Sequence, residues 1–265
     1  MNNIKFSVIM PAYNAEDSIE ESINSVLNQT YSNVELIVID DCSTDNTYNV
    51  VKKYSNVKLL QTPVNSRQGA ARNIGLDNCS GDYILFLDAD DIYFDNKVLE
   101  KLSNIILSKE YPDIVYCGMQ ITGRRDLTIM PDENNISKSF RLGQNKWMNV
   151  TSLCAKASLI QENKIRFPEN IRYEDVLFAF ITIEKAQTFS YTDFITYVYI
   201  NKDNTTTTKY TYAQSLDTVR MIEELTNLKD KISKENLPYL KQRIIEQTER
   251  LQERLKRVIE YNFPD

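Results

Sequence analysis

The sequence contains no histidine. Catalysis by Ser-His-Asp or Cys-His arrangements is thereby excluded, and so is any imidazole metal ligand. Chemistry here must run on carboxylates, hydroxyls, lysine, arginine or a metal held by oxygen. Cysteine is scarce as well. Cys42, Cys79, Cys117 and Cys154 stand singly, without C-x-x-C spacing, which argues against a disulfide framework or structural zinc and fits a reducing cytoplasm. Six glycines and seven prolines in 265 residues argue against long disordered linkers. No apolar run approaches the roughly 20 residues that span a bilayer. The opening MNNIKFSVIM enters a strand-like segment at once, which predicts no signal peptide. Basic excess is also missing: the net charge is −6, so no face is prepared for a nucleic-acid partner.

What is present is an ordinary globular composition, 42% hydrophobic and 26% charged, enough for one large domain or a domain with an appendage. Over the first 120 residues strand-like runs alternate with helix-like ones. KFSVIMPAY, VELIVID, VKLLQT, DYILFLD and DIVYCGMQI read as strands. Between them, AEDSIEESINSVLNQ places Ile19, Ile23, Val26 and Leu27 on one helical stripe. NTYNVVKKY, with Asp45 as its cap, RQGAARNIGLDNC and DNKVLEKLSNIILSKE also read as helices. This rhythm predicts an α/β fold with a mostly parallel sheet and helices on both faces. Ligands bind outside the carboxyl ends of such strands, and PAYN, DDCSTD and DADD all fall there. QITGRRDLTIM suits a hairpin or edge strand, and YEDVLFAFITIEKA a helix with acids in its first turn. LPYLKQRIIEQTERLQERLKRVIEYNF places Leu237, Leu240, Ile244, Leu251, Leu255 and Val258 at three-four spacing, interrupted at Gln247 or Thr248.

The run GDYILFLDADD poses the chemical question. Asp88, Asp90 and Asp91 crowd one strand end and repel one another unless a positive charge sits there. Two carboxylates one residue apart can share a divalent ion, and Mn²⁺ or Mg²⁺ completes its shell from water and substrate phosphates. The same acids could instead cap the following helix. Arg67 and Arg72 supply cations that suit phosphate oxygens, Gly69 permits close backbone approach, and both arginines could alternatively pair with the nearby acids. Pro11 and Tyr13 offer a rigid turn and an aromatic plate for a base. Asp41 could accept the imide N–H of uracil or thymine, or cap the next helix.

VIMPAYNAEDSIEES, VELIVIDDCSTDNT, GAARNIGLDNCSGDYILFLDADD and IRFPENIRYEDVLF together resemble glycosyltransferase family 2. The resemblance is dense over about the first 95 residues, returns between Trp147 and Phe178, and fades over the last fifty-odd. It implies the A-type nucleotide-diphospho-sugar transferase fold: a single Rossmann-like, mostly parallel sheet flanked by helices, here with a C-terminal helical extension. Pro11, Ala12, Tyr13 and Asp41 would hold the nucleotide base. Asp90 would be the metal ligand, with Asp88 contacting ribose or the metal shell. Asp175, with Glu174 beside it, would be the catalytic base of an inverting transfer. Relatives follow a late YxY with arginine, whereas YVYINKDN has Ile200 with Lys202 nearby, and Thr205 to Thr208 fall where relatives carry a loop over the donor.

The expected division is residues 1–208 as catalytic domain, with a nucleotide-sugar half to about 120 and an acceptor half beyond it, then 209–265 as extension. The expected partners are a UDP-sugar donor and a glycan, lipid-linked or glycoprotein acceptor. A bacterial surface glycan is the expected product, made in the cytoplasm or at the inner face of the membrane. The sugar would be chosen by loops that include Trp147 and TSLCAK. The mixed charge of the C-terminal helices favours self-association or intramolecular packing first and peripheral membrane contact second. Two other classes compete with this reading. A nucleotidyltransferase would carry a basic, glycine-rich stretch after its first strand, and PAYNAEDSIEES is acidic and glycine-free. A catalytically silent binding or assembly subunit would have lost Asp90 or Asp175, and both are present.

Overall fold

The structure, a computed structural model, describes residues 3–123, 126–134, 149–201 and 211–262, with side chains as far as Ile259. Trp147, Lys202 and the threonines 205–208 lie outside the described residues. The first half comprises β1 (Phe6–Ala12), α1 (Ile19–Leu27), β2 (Val34–Asp40), α2 (Thr47–Val51), β3 (Val57–Gln61), α3 (Arg67–Asn78), β4 (Tyr83–Phe86), β5 (Ile92–Tyr93) and α4 (Val98–Ser108). The second comprises β6 (Ile114–Gly123), β7 (Leu127–Ile129), β8 (Leu153–Lys156), α5 (Ala157–Glu162), α6 (Glu174–Lys185), β9 (Phe189–Asn201), α7 (Tyr212–Asn227) and α8 (Leu237–Asn262).

The strands form one sheet in the order β3-β2-β1-β4-β8-β6-β9-β5, with β7 on β6. Its first four strands are all parallel. Antiparallel pairs enter where β8 joins β4 and β6, while β6 and β9 pair in parallel along nine positions with irregular register near Gly118. The sheet is thus mostly parallel, and helices cover both faces. On one face α1 and α4 bury Ile19, Ile23, Val26, Leu99 and Leu102 against Val8, Met10 and Val38. On the other, Ala71 and Leu76 of α3 meet Ile9, Ile37 and Ile39. Such two-sided burial explains why β1 and β2 read as continuous apolar runs.

Three readings change. Pro11 and Ala12 belong to β1 rather than to a turn. Pro11 pairs with Ile39, but β4 reaches only to the level of Ile9, so the missing N–H falls where that side of the ladder has ended. TSLCAK is not a surface loop, because Leu153, Cys154 and Ala155 are buried in a strand between β4 and β6. The α8 seam is displaced: Leu240, Arg243 and Gln247 are its buried positions, while Leu255 is exposed.

Candidate active site

The carboxyl ends of β1, β2 and β4 open onto one crevice, and α3 and α6 close it. Backbone strain concentrates there. With glycine scarce, Asn14, Cys42, Arg67, Asn170 and Tyr173 take positive φ themselves, at 49°, 58°, 68°, 62° and 66°. Such conformations in non-glycine residues cost about 1–3 kcal/mol each and cluster at functional sites.

At one end, Asp41 is buried and its backbone N–H donates to Ala12. Its Oδ1 accepts from Thr62 Oγ1 and the Ser66 N–H, both at 2.8 Å. Among the described residues, its Oδ2 accepts no hydrogen bond. Tyr13, just past the end of β1, is exposed. The neighbouring Asp40 also ends its strand with a buried Oδ1 that lacks a partner among the described residues. Asp45 accepts the N–H of Thr47 at 3.0 Å from one position before Asn46, which is the N-cap of α2 in place of the expected Asp45.

The centre is Arg72. Its side chain is buried, yet it bridges two carboxylates: Nη2 donates to Asp88 Oδ1 at 2.8 Å and Nη1 to Glu174 Oε1 at 2.5 Å. The positive charge against Asp88 is therefore an arginine of the chain itself. Burial works against the guanidinium charge, but Asp88, Glu174 and Asp175 outweigh it and raise its pKa above the usual arginine value. Asp91 has a different role. It is fully buried, accepts from the Tyr197 hydroxyl, and accepts the Ile200 N–H at 2.8 Å. Burial, with the charge of Asp88, pushes its carboxyl up to about 8. Asp91 thus straps the strand end to β9, while Asp88 meets Arg72 and both Asp88 and Asp90 are only half-buried.

Glu174 and Asp175 open α6, whose N-cap is the left-handed Tyr173. Burial raises Asp175 well above the usual carboxylate range. Glu174 adds to the rise and Arg72 opposes it. Arg67 stands apart from these acids: Nη1 donates to Asn170 O at 2.8 Å and to Asp217 of α7 at 3.0 Å.

The packing of α3 fixes this arrangement. Gly69, Arg72 and Asn73 share one helical face. A Cβ on Gly69 would lie 2.4 Å from Pro168 O and 3.2 Å from Glu174 Cγ, so the backbone that approaches closely there belongs to the chain itself. Asn73 grips Phe167 twice, Nδ2 to O and Oδ1 from N, both at 2.9 Å. Asn73, Asp217 and Tyr197 were not singled out in the sequence. The i, i+3, i+4 spacing of Gly69, Arg72 and Asn73 was the available signal for the first, whereas nothing local marks the other two.

Among the described residues no three acidic or cysteine side chains converge as a closed metal cage. Asp88 and Asp90 offer an oxygen-only, incomplete donor set, which fits a hard divalent ion that shares its shell with a substrate phosphate. No helix of the described residues is long and apolar enough to cross a membrane.

A profile described as "Glycosyl transferase family 2" matches residues 7–166. A Bacillus spizizenii poly(ribitol-phosphate) beta-glucosyltransferase is 36% identical over 216 residues, covering 75% of this chain and 32% of its own. An Escherichia coli UDP-Glc:alpha-D-GlcNAc-diphosphoundecaprenol beta-1,3-glucosyltransferase, WfgD, is 45% identical over 108 residues, 40% of this chain and 43% of its own. The chain thus matches less than half the length of either enzyme. The crystal structure of S. aureus TarS 1-349 in complex with UDP-GlcNAc superposes with a TM-score of 0.71 at 27% identity, covering 84% of this chain and 67% of that one.

Proposed function

The chain belongs to glycosyltransferase family 2, and on that premise we propose that it moves a sugar from a UDP-sugar to an acceptor hydroxyl, with inversion and with a divalent ion, in building a bacterial surface glycan. The observation that carries this reading is the Arg72 bridge. It joins Asp88, at the end of β4, to Glu174, at the start of α6, through contacts of 2.8 and 2.5 Å. Donor-side and acceptor-side acids, 86 positions apart in the sequence, therefore act in one crevice.

Each residue has a part in this reading. The unused Oδ2 of Asp41 accepts the imide N–H of uracil, and Tyr13 lies against the base beside Pro11 and Ala12. Asp88 and Asp90 would hold Mn²⁺ or Mg²⁺. The bound ion would supply positive charge against the leaving group. Arg72 orients Glu174 and Asp88 and adds its own fixed charge near the diphosphate. Asp175 takes the proton from the acceptor hydroxyl as that oxygen attacks the anomeric carbon from the face opposite the diphosphate. A carboxylate whose pKa is raised towards the working pH is a better base than an ordinary one. Arg67 bounds the site on the side of α7.

A UDP-bound relative structure and relatives acting on polymer or lipid-linked acceptors support the choice of donor and acceptor class. The acceptor remains a glycan, a lipid-linked sugar or a glycoprotein, met in the cytoplasm or at its membrane face. We read residues 209–265 as an extension that packs onto the catalytic body, with self-association and membrane contact secondary. The test is release of nucleotide from UDP-, GDP- and dTDP-sugars, with and without chelator. UDP release that chelator suppresses is expected. Faster turnover of a GDP-sugar would overturn the donor assignment, and chelator-insensitive turnover would overturn the metal.

A further inference from the structure

The turn that carries the candidate ion ligands is fastened to a strand from the other half of the sheet, and the reading above gives that fastening no task. Leu87 still follows β1, its N–H donating to Ile9 O at 3.1 Å. The next residues form a turn, closed by the Asp91 N–H donating to Asp88 O at 3.2 Å. Asp88 is the first residue of this turn, Asp90 the third and Asp91 the last. Directly after it, Ile92 and Tyr93 pair with Val198 and Tyr197 of β9, and the Phe94 N–H donates to Thr196 O at 2.9 Å.

One side chain of β9 reaches both ends of the turn. The buried Tyr197 hydroxyl donates to Asp91 Oδ2. Burial, with the charges of Asp88 and Asp91, raises that hydroxyl, while a bond from the Asp88 backbone N–H opposes the rise. A single oxygen therefore meets the first residue and the last. Asp91 Oδ1 accepts the Ile200 N–H at 2.8 Å, so both oxygens of this carboxylate are engaged on β9.

Stability alone would not select such a pair. Burial disfavours the Asp91 charge, and the charges of Asp88 and Asp90 add to that cost. Two apolar side chains of the same shape would avoid it. What a fully satisfied buried polar network supplies is one fixed arrangement of the backbone around it. Arg72 holds the carboxylate of Asp88, whereas the direction of Asp90 follows from the backbone of the turn. We infer that Tyr197 and Asp91 are positioning residues: by clamping the turn to β9 they set the geometry of Asp88 and Asp90, and through it the affinity for the divalent ion. Groups that orient metal ligands from behind are worth about 10–100-fold in metal affinity. This deepens the transferase reading and rests on it for the presence of the ion.

The test is calorimetric titration of UDP into the full chain at a series of Mn²⁺ concentrations, reading the concentration that half-restores binding. Wild type is compared with Tyr197→Phe, Asp91→Asn and Thr192→Val. Thr192 lies nearer the start of β9, where its buried hydroxyl bridges the Gly118 N–H and Phe194 O. Its loss is a control for destabilisation of the same strand, and thermal melts compare the two hydroxyl deletions. Tyr197→Phe is expected to need about tenfold more Mn²⁺ and to bind UDP like wild type once the ion saturates. Asp91→Asn should stay near wild type, because its amide can accept the Ile200 N–H and donate to the Tyr197 oxygen. Thr192→Val should melt earlier at an unchanged Mn²⁺ requirement. A wild-type requirement in Tyr197→Phe would overturn the clamp, and so would an equal rise in Thr192→Val. UDP binding by wild type that ignores Mn²⁺ would overturn the clamp together with the ion. A Mn²⁺ requirement raised only in Tyr197→Phe, without transfer from any nucleotide-sugar, would uphold the clamp and overturn the transferase reading instead.

Discussion

At the scale of single residues, the crowding of Asp88, Asp90 and Asp91 is resolved by giving each a different environment. Asp88 meets Arg72, Asp91 turns inward to Tyr197, and Asp90 is half-buried at the crevice. Because burial raises Asp175 above the usual carboxylate range, its charged form, the one competent as a base, is lost as pH falls through that raised value. The transfer rate is expected to drop on the acid side at a pH well above that of an ordinary aspartate, and a kcat–pH profile reads this directly. Asp175→Asn should lower kcat by roughly 10²–10⁴ while leaving nucleotide affinity unchanged. Arg72→Met leaves two carboxylates facing one another without their buried cation. A loss of about 3–5 kcal/mol in urea unfolding is expected. Asp91 gives a pH signature of its own. Its folded pKa of about 8 exceeds the unfolded 3.8, so the folded state binds the extra proton between those values and stability declines as pH rises across them. Asp91→Asn should flatten that decline, seen as urea midpoints at pH 5 and pH 8 that lie closer together than in wild type.

At the scale of elements, α3 organises the site. Gly69, Arg72 and Asn73 each fasten the segment from Phe167 to Glu174, and the stacked rings of Phe167 and Phe178, 3.8 Å apart, lie beneath it. Gly69→Ala would drive a methyl to within 2.4 Å of Pro168 O. Backbone must move to admit it, and a loss of about 1–3 kcal/mol is expected in a thermal or urea melt, with nucleotide turnover reduced as Glu174 shifts. The strands and helices of the first half were legible because their periodicity follows from burial: the two-sided runs of β1 and β2 and the stripe of Ile19, Ile23 and Val26 need no tertiary knowledge. The two-residue β5 was not legible, being too short to carry a pattern and formed only by pairing with Tyr197 and Val198. In α8 the apolar spacing pointed to Leu251 and Leu255, but its buried face carries Arg243 and Gln247. Arg243 donates to Glu246 at 3.0 Å across one helical turn, whereas Gln247 Nε2 is buried without a hydrogen-bond partner among the described residues. Polar residues that find partners in three dimensions are invisible to hydrophobic patterning. The same reason hid Asn73, Asp217 and Tyr197, and hid the pairing of Arg67 with Asp217, 150 positions away.

At the scale of the whole molecule, the C-terminal helices are continuous with the catalytic body. Met221, Leu225, Leu228 and Leu240 share one buried cluster with Ile114, Tyr116, Leu177 and Phe180, and Asp217 ties α7 to Arg67. Ending the chain at residue 208 would uncover that cluster. At roughly 1.5–3 kcal/mol for each large side chain, the loss approaches the 5–15 kcal/mol by which a domain is stable. The truncated chain is expected to melt far below the full one or to aggregate, as read by a thermal melt with gel filtration; an unchanged midpoint would make these helices a dispensable appendage. The roles of these residues all depend on the crevice being a metal-assisted nucleotide-sugar site. The most direct measurement of that is calorimetric titration of UDP, with GDP and dTDP as comparisons, in Mn²⁺, in Mg²⁺ and in chelator, on wild type and on Asp90→Ala. UDP binding is expected to need the ion, to exceed that of GDP, and to weaken at least tenfold both in chelator and in Asp90→Ala. UDP binding indifferent to the ion and to Asp90, or no nucleotide binding at all, would contradict it.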